Sequence, residues 1–345
     1  MRFPSSSAMI MLAVGALVAA VAGWFAPRVL LIGWLSVVAP LVAAAVGAAM
    51  LICMLKLGRS RLLDDWNTSL ATASPWLFLA PVLCVPLLFG ADTLYGWSTN
   101  AAFVAQRGYL NVPFFAVRNV VYFAAFIGIA VSLPIAQRPL RLALLLIIAF
   151  VVANVTAFDW IVALTPHWHS SDFGLRSCVN GLLIAASLAV MWQAIHRRGT
   201  SENELRARID GATLLFALDL GCIYLLFVDY ITAWSGNLPD EAIWYAPRAQ
   251  GMWAMVIVAV VTVHVVIGAL LLSRLVKRSP RVLLQLAIAM LAAQWVEELW
   301  TVIPGNGLNN VITVSTSLGS MVIVIGLSFA WLRFLRKPSP RVAHG

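Results

Sequence analysis

Asp159, Asp219, Asp229, His264 and Glu297 stand inside long apolar runs, where ionisable side chains are scarce. An ionised group at the centre of a bilayer costs at least ~2.5 kcal/mol, so such residues face protein or trapped water and carry proton or ion chemistry. Asp219 and Asp229 are ten residues apart, which on an α-helix sets them about 80° apart around the axis and ~15 Å apart along it. Both can therefore look into one groove at different depths. His264 precedes Arg274 by ten residues, again ~15 Å, which puts an imidazole near the middle of its run. Ordered from the basic side outward, the groups run Asp219, His264, Asp229, Glu297 and Asp159. Carboxyls and an imidazole spaced in this way, with water between them, are the parts of a proton relay. Glu297 and Glu298 are adjacent and point ~100° apart on a helix, so only one is expected to face a shared path. Arg118 and Arg176 lie near the outer ends of their runs and can pair with these acids. The competing reading is local: each polar group caps, pairs with or hydrogen-bonds a neighbouring helix.

Metal and haem chemistry find little support. A membrane haem needs axial histidines on facing helices at one depth. His264 is the one deep histidine; His167 and His169 fall in a loop, His196 at the basic edge and His344 in the tail. His167 and His169 offer two ligands two residues apart, short of a site. There is no CxxCH, P-loop or GxGxxG. The expectation is no metal and no cofactor held by this chain.

The elements that must position these groups are apolar runs long enough to cross a bilayer, since a spanning helix needs roughly 20 such residues. Ten are expected, at 8–25, 29–55, 67–90, 112–136, 140–164, 175–195, 212–235, 249–273, 282–303 and 310–331. The run at 8–25 reads as a first span rather than a cleaved signal. Of the 345 residues 62% are hydrophobic and 11% charged, with mean hydropathy +0.92. The expected fold is all-α: one integral membrane domain over 1–345, embedded in a lipid bilayer. The net charge of +9 marks orientation rather than nucleic-acid binding. With the N-terminus inside, 18 of the 23 Lys and Arg fall on inner segments, such as Lys56, Arg59 and Arg61 or Arg274, Lys277, Arg278 and Arg281. The exceptions are Arg28, Arg107, Arg118, Arg176 and Arg248. That bias predicts both termini on the cytoplasmic side. Cys53, Cys84, Cys178 and Cys222 lie in apolar runs without CxxC spacing and read as reduced packing residues. Tyr95, Trp97, Tyr109, Trp160, Trp168, Trp234, Trp244, Tyr245, Trp253 and Trp300 cluster toward the outer ends and read mostly as an aromatic belt. Pro75, Pro81 and Pro86 predict a bent third span. Small residues at 13–23 and 43–49 suit close helix packing, with this bundle or with a partner. The mixed charges of 200–210 read as a solvated turn.

Three strings are more specific. They are YLNVPFF at 109–115, followed by Arg118 and Tyr122; FDWIVALTPHW at 158–168, running on to Phe173 and Gly174; and WSGNLPDEAIWY at 234–245, followed by His264 and LLLSRLVKRSP at 270–280. Together, over roughly residues 67–304, they resemble the membrane subunit of bacterial alternative complex III, the quinol:cytochrome c oxidoreductase quinone-binding subunit 2 family. That family is related to the polysulfide-reductase membrane subunits. The resemblance implies ten helices with two four-helix bundles and two extra helices, and no redox cofactor in this subunit. It implies a bacterial inner-membrane respiratory assembly with a sister membrane subunit and with iron–sulfur and multihaem cytochrome subunits that carry the electrons. Asp159, His167, His264 and Glu297 fall on positions resembling the family's proposed proton path, Glu297 in place of an aspartate. The chain departs from the pattern at Arg107 (a lysine in the family), Thr165 (an acid), His169 (an aromatic), Asp219 (apolar) and Asp229 (a glutamine).

The function expected is therefore a cofactor-free membrane subunit of a quinol-oxidising complex. It would contribute quinone-side architecture and a proton path, with quinone or quinol as substrate, and would not be catalytic alone. His167, Asp159 and Arg118 are its quinone-side candidates, and the quinol site lies either here or in the sister subunit. Two alternatives of other classes stand beside it: a proton-coupled transporter using the same acids, and a purely structural anchor.

Overall fold

The computed structural model describes residues 21, 24–98, 107–168, 170–197, 199, 201–237, 239–308 and 310–335. Most of the expected first span at 8–25, the small-residue stretch at 13–23, His169 and His344 lie outside them. The rest forms helices: α1 (Pro27–Leu57), α2 (Leu62–Leu70), α3 (Ala73–Phe89), α4 (Ala91–Leu94), α5 (Val112–Ser132), α6 (Pro139–Trp160), α7 (Phe173–His196), α8 (Glu202–Gly236), α9 (Pro239–Tyr245), α10 (Gly251–Leu271), α11 (Arg274–Arg278), α12 (Pro280–Val302) and α13 (Asn310–Leu335). No strand occurs among the described residues. Nine of the helical segments, α2 and α3 counted together, are long and apolar enough to cross a membrane. The protein is an all-α, multi-pass membrane protein.

Sequence signals set several helix starts. Proline opens α1, α6 and α12, where the missing N–H is no loss. Asn111, Ser201 and Ser279 accept from the amides of Phe114, Glu204 and Val282 and so cap α5, α8 and α12.

The helices pack as two rings of four. In the first, α1 touches α3, α3 touches α5, α5 touches α6 and α6 closes on α1; in the second, α7, α8, α10 and α12 close in the same way. The rings meet where α7 lies against α1 and α6, and α13 lies outside, on α1 and α3. The tightest point is the crossing of α1 and α7 at Gly47 and Gly181. A Cβ on Gly47 would stand 2.7 Å from the Leu182 nitrogen and nearer still to the Gly181 carbonyl. The small residues at 43–49 thus serve packing within this chain. Ser36 of α1 donates to Ser317 of α13 at 2.9 Å, where Gly33 leaves room for that helix.

Three expectations change. The third span is bent by a full break at Ala71 and Thr72, where the Thr72 hydroxyl takes the Ser69 carbonyl, while Pro81 and Pro86 remain inside α3. It also begins earlier, at Leu62 rather than 67. Residues from Glu202 onward are the first turns of α8 rather than a solvated turn. Arg208 there is buried and donates to the carbonyls of Arg278, Gly199 and Arg197, tying the basic ends of three helices together. Most of the expected aromatic belt is core instead: Tyr95, Trp97, Trp160, Trp168, Trp244, Trp253 and Trp300 are buried, and Trp168 stacks on Trp244 with centroids 4.0 Å apart. Trp234 and Tyr109 remain exposed. Period and hydropathy could not separate the two cases, because a ring packed at a helix end and a ring in the headgroup layer occupy the same sequence position. The four cysteines are free and buried.

Candidate functional site

The second ring holds a polar chain running through its interior. At its deepest point Asp219 (α8) meets His264 (α10), Oδ1 to Nδ1 at 2.6 Å. Both are almost fully buried. Gly268, one turn beyond His264, makes room: a Cβ there would stand 3.1 Å from Asp219 Oδ2. With Nδ1 donating to the carboxylate, Nε2 of the neutral ring is an acceptor. It faces the Gln294 (α12) amide nitrogen at 3.4 Å. The same amide nitrogen donates to Glu297 Oε2 at 3.1 Å. Asn180 (α7) donates to Glu297 Oε1 at 3.2 Å, and Arg176 Nε lies 3.3 Å from that oxygen. Arg176 then reaches Asp229 (α8) at 3.3 Å through Nη1 and the Thr301 hydroxyl at 3.0 Å through Nη2. Asp229 accepts at 2.7 Å from Ser170, which also bonds Asp172 in the loop before α7. The chain therefore begins near the middle of α8 and ends at the aromatic end of the bundle, joining three acids, an imidazole and a guanidinium.

Toward the basic end the ring is closed by apolar side chains. Leu183, Leu215, Leu271, Ala287 and Met290 are each 0% exposed. The polar chain thus covers the half of the bundle away from the basic ends.

Asp159 is not part of this chain. It lies at the end of α6 in the first ring, where Arg118 Nε (2.6 Å) and Tyr122 Oη (2.6 Å) donate to Oδ2, and Tyr109 Oη (2.9 Å) and Arg118 Nη2 (3.2 Å) to Oδ1. The Arg118 guanidinium sits over the Tyr109 ring, 3.9 Å from its centroid, and bonds the Tyr109 carbonyl. Burial and the neighbouring Asp159 carboxylate raise the Tyr109 phenol above its ordinary pKa. The expected single series ending at Asp159 is therefore two clusters in two rings. The physical reason is that the Arg118, Tyr109 and Tyr122 donors saturate this carboxylate locally. As a general base toward quinol it would first have to release a donor. His167 lies at the same end and is exposed.

The anticipated pairing of Arg118 and Arg176 with buried acids is present. Sequence reading missed the neutral linkers Gln294, Asn180, Ser170 and Thr301. A signal existed in Gln294, an amide one turn before Glu297 on the same helix face. Among the described residues no group of three metal-binding side chains comes together.

No protein-family model matches this chain, and no curated protein matches it in sequence.

Proposed function

We propose that this protein is a proton-conducting membrane subunit of a bacterial quinol-oxidising respiratory complex, similar to the membrane subunit of alternative complex III. The observation that carries the reading is the connected series Asp219–His264–Gln294–Glu297–Arg176–Asp229–Ser170 inside one four-helix ring. Buried ionisable groups are expensive in a membrane, and a series of them on facing helices is the arrangement that proton relays require. In this reading the chain lies in the inner membrane with its basic ends in the cytoplasm. The polar series serves the outer half, and the apolar closure toward the basic ends prevents a proton leak. The two-ring packing agrees with the architecture the family resemblance implies. Electrons travel through iron–sulfur and multihaem partners, a sister membrane subunit completes the membrane arm, and this subunit holds no redox group of its own.

The test is purification of the full chain from its native membrane with whatever subunits accompany it. Iron–sulfur and multihaem partners are expected. Asp219→Asn should leave assembly intact and lower quinol-driven proton movement about tenfold or more, the scale on which a positioned proton carrier acts. A chain that purifies alone and drives uptake of a solute with protons would make it a transporter. An assembled complex whose Asp219→Asn form moves protons normally would leave it an anchor.

A further inference from the structure

Two links of the polar series do not pass protons in the arrangement they hold. Gln294 presents its amide N–H group to both His264 and Glu297, and an amide nitrogen neither accepts nor releases a proton at ordinary pH. Arg176 is a permanent cation. A proton moving outward from His264 therefore needs another conductor alongside them.

The two rings enclose one. A cavity of about 40 Å³ lies between α1, α6, α7 and α12. Gln294, Arg176, Asn180 and Glu298 line it on one side, and Thr156 and Trp160 of the first ring on the other. A buried water needs roughly 10–15 Å³ of such space and two or more polar partners, so the chamber has room for about three or four waters. Glu298 Oε1 and Asn180 Oδ1 are both buried and without a hydrogen-bond partner. A buried carboxyl oxygen without a donor is costly, and waters in the chamber would supply the missing donors.

We propose that this inter-ring chamber is a water-filled bypass around Gln294 and Arg176, and that Glu298 is its proton-holding group. His264 lies behind Gln294 and outside the chamber lining, so the step is a transfer from the His264 imidazolium, once Gln294 has moved aside to admit water, through that water to the Glu298 carboxylate, giving neutral imidazole and carboxylic acid. For His264 to hand a proton at Nε2 to water, the Gln294 amide must swing off the ring, because its N–H group cannot face another N–H and its oxygen would keep that hydrogen bond for itself. Rotation of Gln294 thereby gates the chamber. Glu297 takes the other role: held by Arg176, Asn180 and Gln294, it fixes the guanidinium in place.

This inference rests on the proton-relay reading, and the experiment separates the two. The complex as it purifies is imaged at a resolution that shows water, and proton movement is compared for Asp219→Asn, Glu298→Gln and Glu298→Asp. Ordered waters touching Glu298, an at least tenfold fall in Glu298→Gln and recovery in Glu298→Asp are expected. A dry chamber overturns the bypass whatever the rates do. Normal movement in Glu298→Gln, where Asp219→Asn is impaired, overturns the holding role alone. Normal movement in both removes the relay and this role with it. Should Glu298→Gln fail to assemble, Ala157→Leu, which fills the chamber from the first ring, replaces it and is expected to slow movement with Glu298 intact; an unchanged rate there overturns the bypass.

Discussion

Replacing Gly47 with alanine tests the joint on which the two-ring architecture depends. The new Cβ would lie 2.7 Å from the Leu182 nitrogen and closer to the Gly181 carbonyl, where ordinary contact begins near 3.4 Å. Those neighbours are backbone atoms of α7 and cannot rotate aside, so the helices must part by about 1 Å. A gap of that size forfeits a quarter to a half of each dispersion contact along the seam, and overpacking of this kind costs about 1–3 kcal/mol. With rigid neighbours the upper end, about 3 kcal/mol, applies. Alanine also gains about 1 kcal/mol over glycine in a helix. The net expectation is a loss of about 2 kcal/mol. Gly128, on α5, calibrates the propensity gain, because a Cβ there meets nothing within 4 Å; Gly128→Ala should be neutral to slightly stabilising. Gly181→Ala, whose Cβ would meet the Ala43 carbonyl, should behave like Gly47→Ala. The double variant should cost less than the sum by at least about 0.5 kcal/mol, since the helices part only once. The assay is reversible unfolding in mixed micelles, followed by tryptophan fluorescence. If Gly47→Ala is as stable as Gly128→Ala, the close crossing of α1 and α7 is wrong, and the chamber beside it loses its walls.

Arg176→Gln leaves Asp229 and Glu297 buried without their shared cation, and the same unfolding measurement should show a loss of about 3–5 kcal/mol. Arg176→Lys should recover only part of it, because one ammonium cannot reproduce the fork that reaches Asp229 and Thr301 together. Asp159→Asn removes the charge that Arg118, Tyr109 and Tyr122 address and should cost about 1.5–3 kcal/mol; quinol oxidation by the assembled complex should fall no further than that loss of folded protein explains, and a specific kinetic defect would restore Asp159 as a catalytic base. The raised phenol of Tyr109 gives a pH signature. The folded state keeps that proton to higher pH than the unfolded state, so its contribution is intact below pH ~10 and is lost as pH rises further. Stability should decline less steeply above that point in Tyr109→Phe, and an identical slope would contradict the phenol–carboxylate contact.

The spans were legible because lipid-crossing helices need long apolar runs, and α5, α6, α7, α10, α12 and α13 begin and end within a turn or so of the expected positions, whereas α8 starts ten residues early because its first turns are charged. The inner start of the series, Asp219 followed by His264, was legible too, since helical rise converts sequence distance into height; the sequence order places Asp229 before Glu297, whereas the contacts place Glu297 between His264 and Asp229. Height says nothing about azimuth or ring membership, and that is why Asp159, in depth order with the others, belongs to the first ring and not to their series. Glu297 and Glu298 diverge as neighbours on a helix must, and the divergence turns Glu298 into the space between the rings, which a single sequence of helical positions does not reveal. Neutral linkers such as Gln294 and Asn180 carry little insertion cost, so composition does not flag them. The aromatic residues show the same limit: Trp168 and Trp244 sit at interfacial height yet stack on each other.

The 35 residues of α8 make a rod about 52 Å long, against a hydrocarbon layer about 30 Å thick. Its basic-end turns stand clear of the oil, braced by Arg208 and tipped by the Glu202–Arg206 pair. Asp219 and Asp229 ride on this one stiff shaft. Any tilt of that shaft would move both carboxylates together against their neighbours, His264 on α10 and Arg176 on α7.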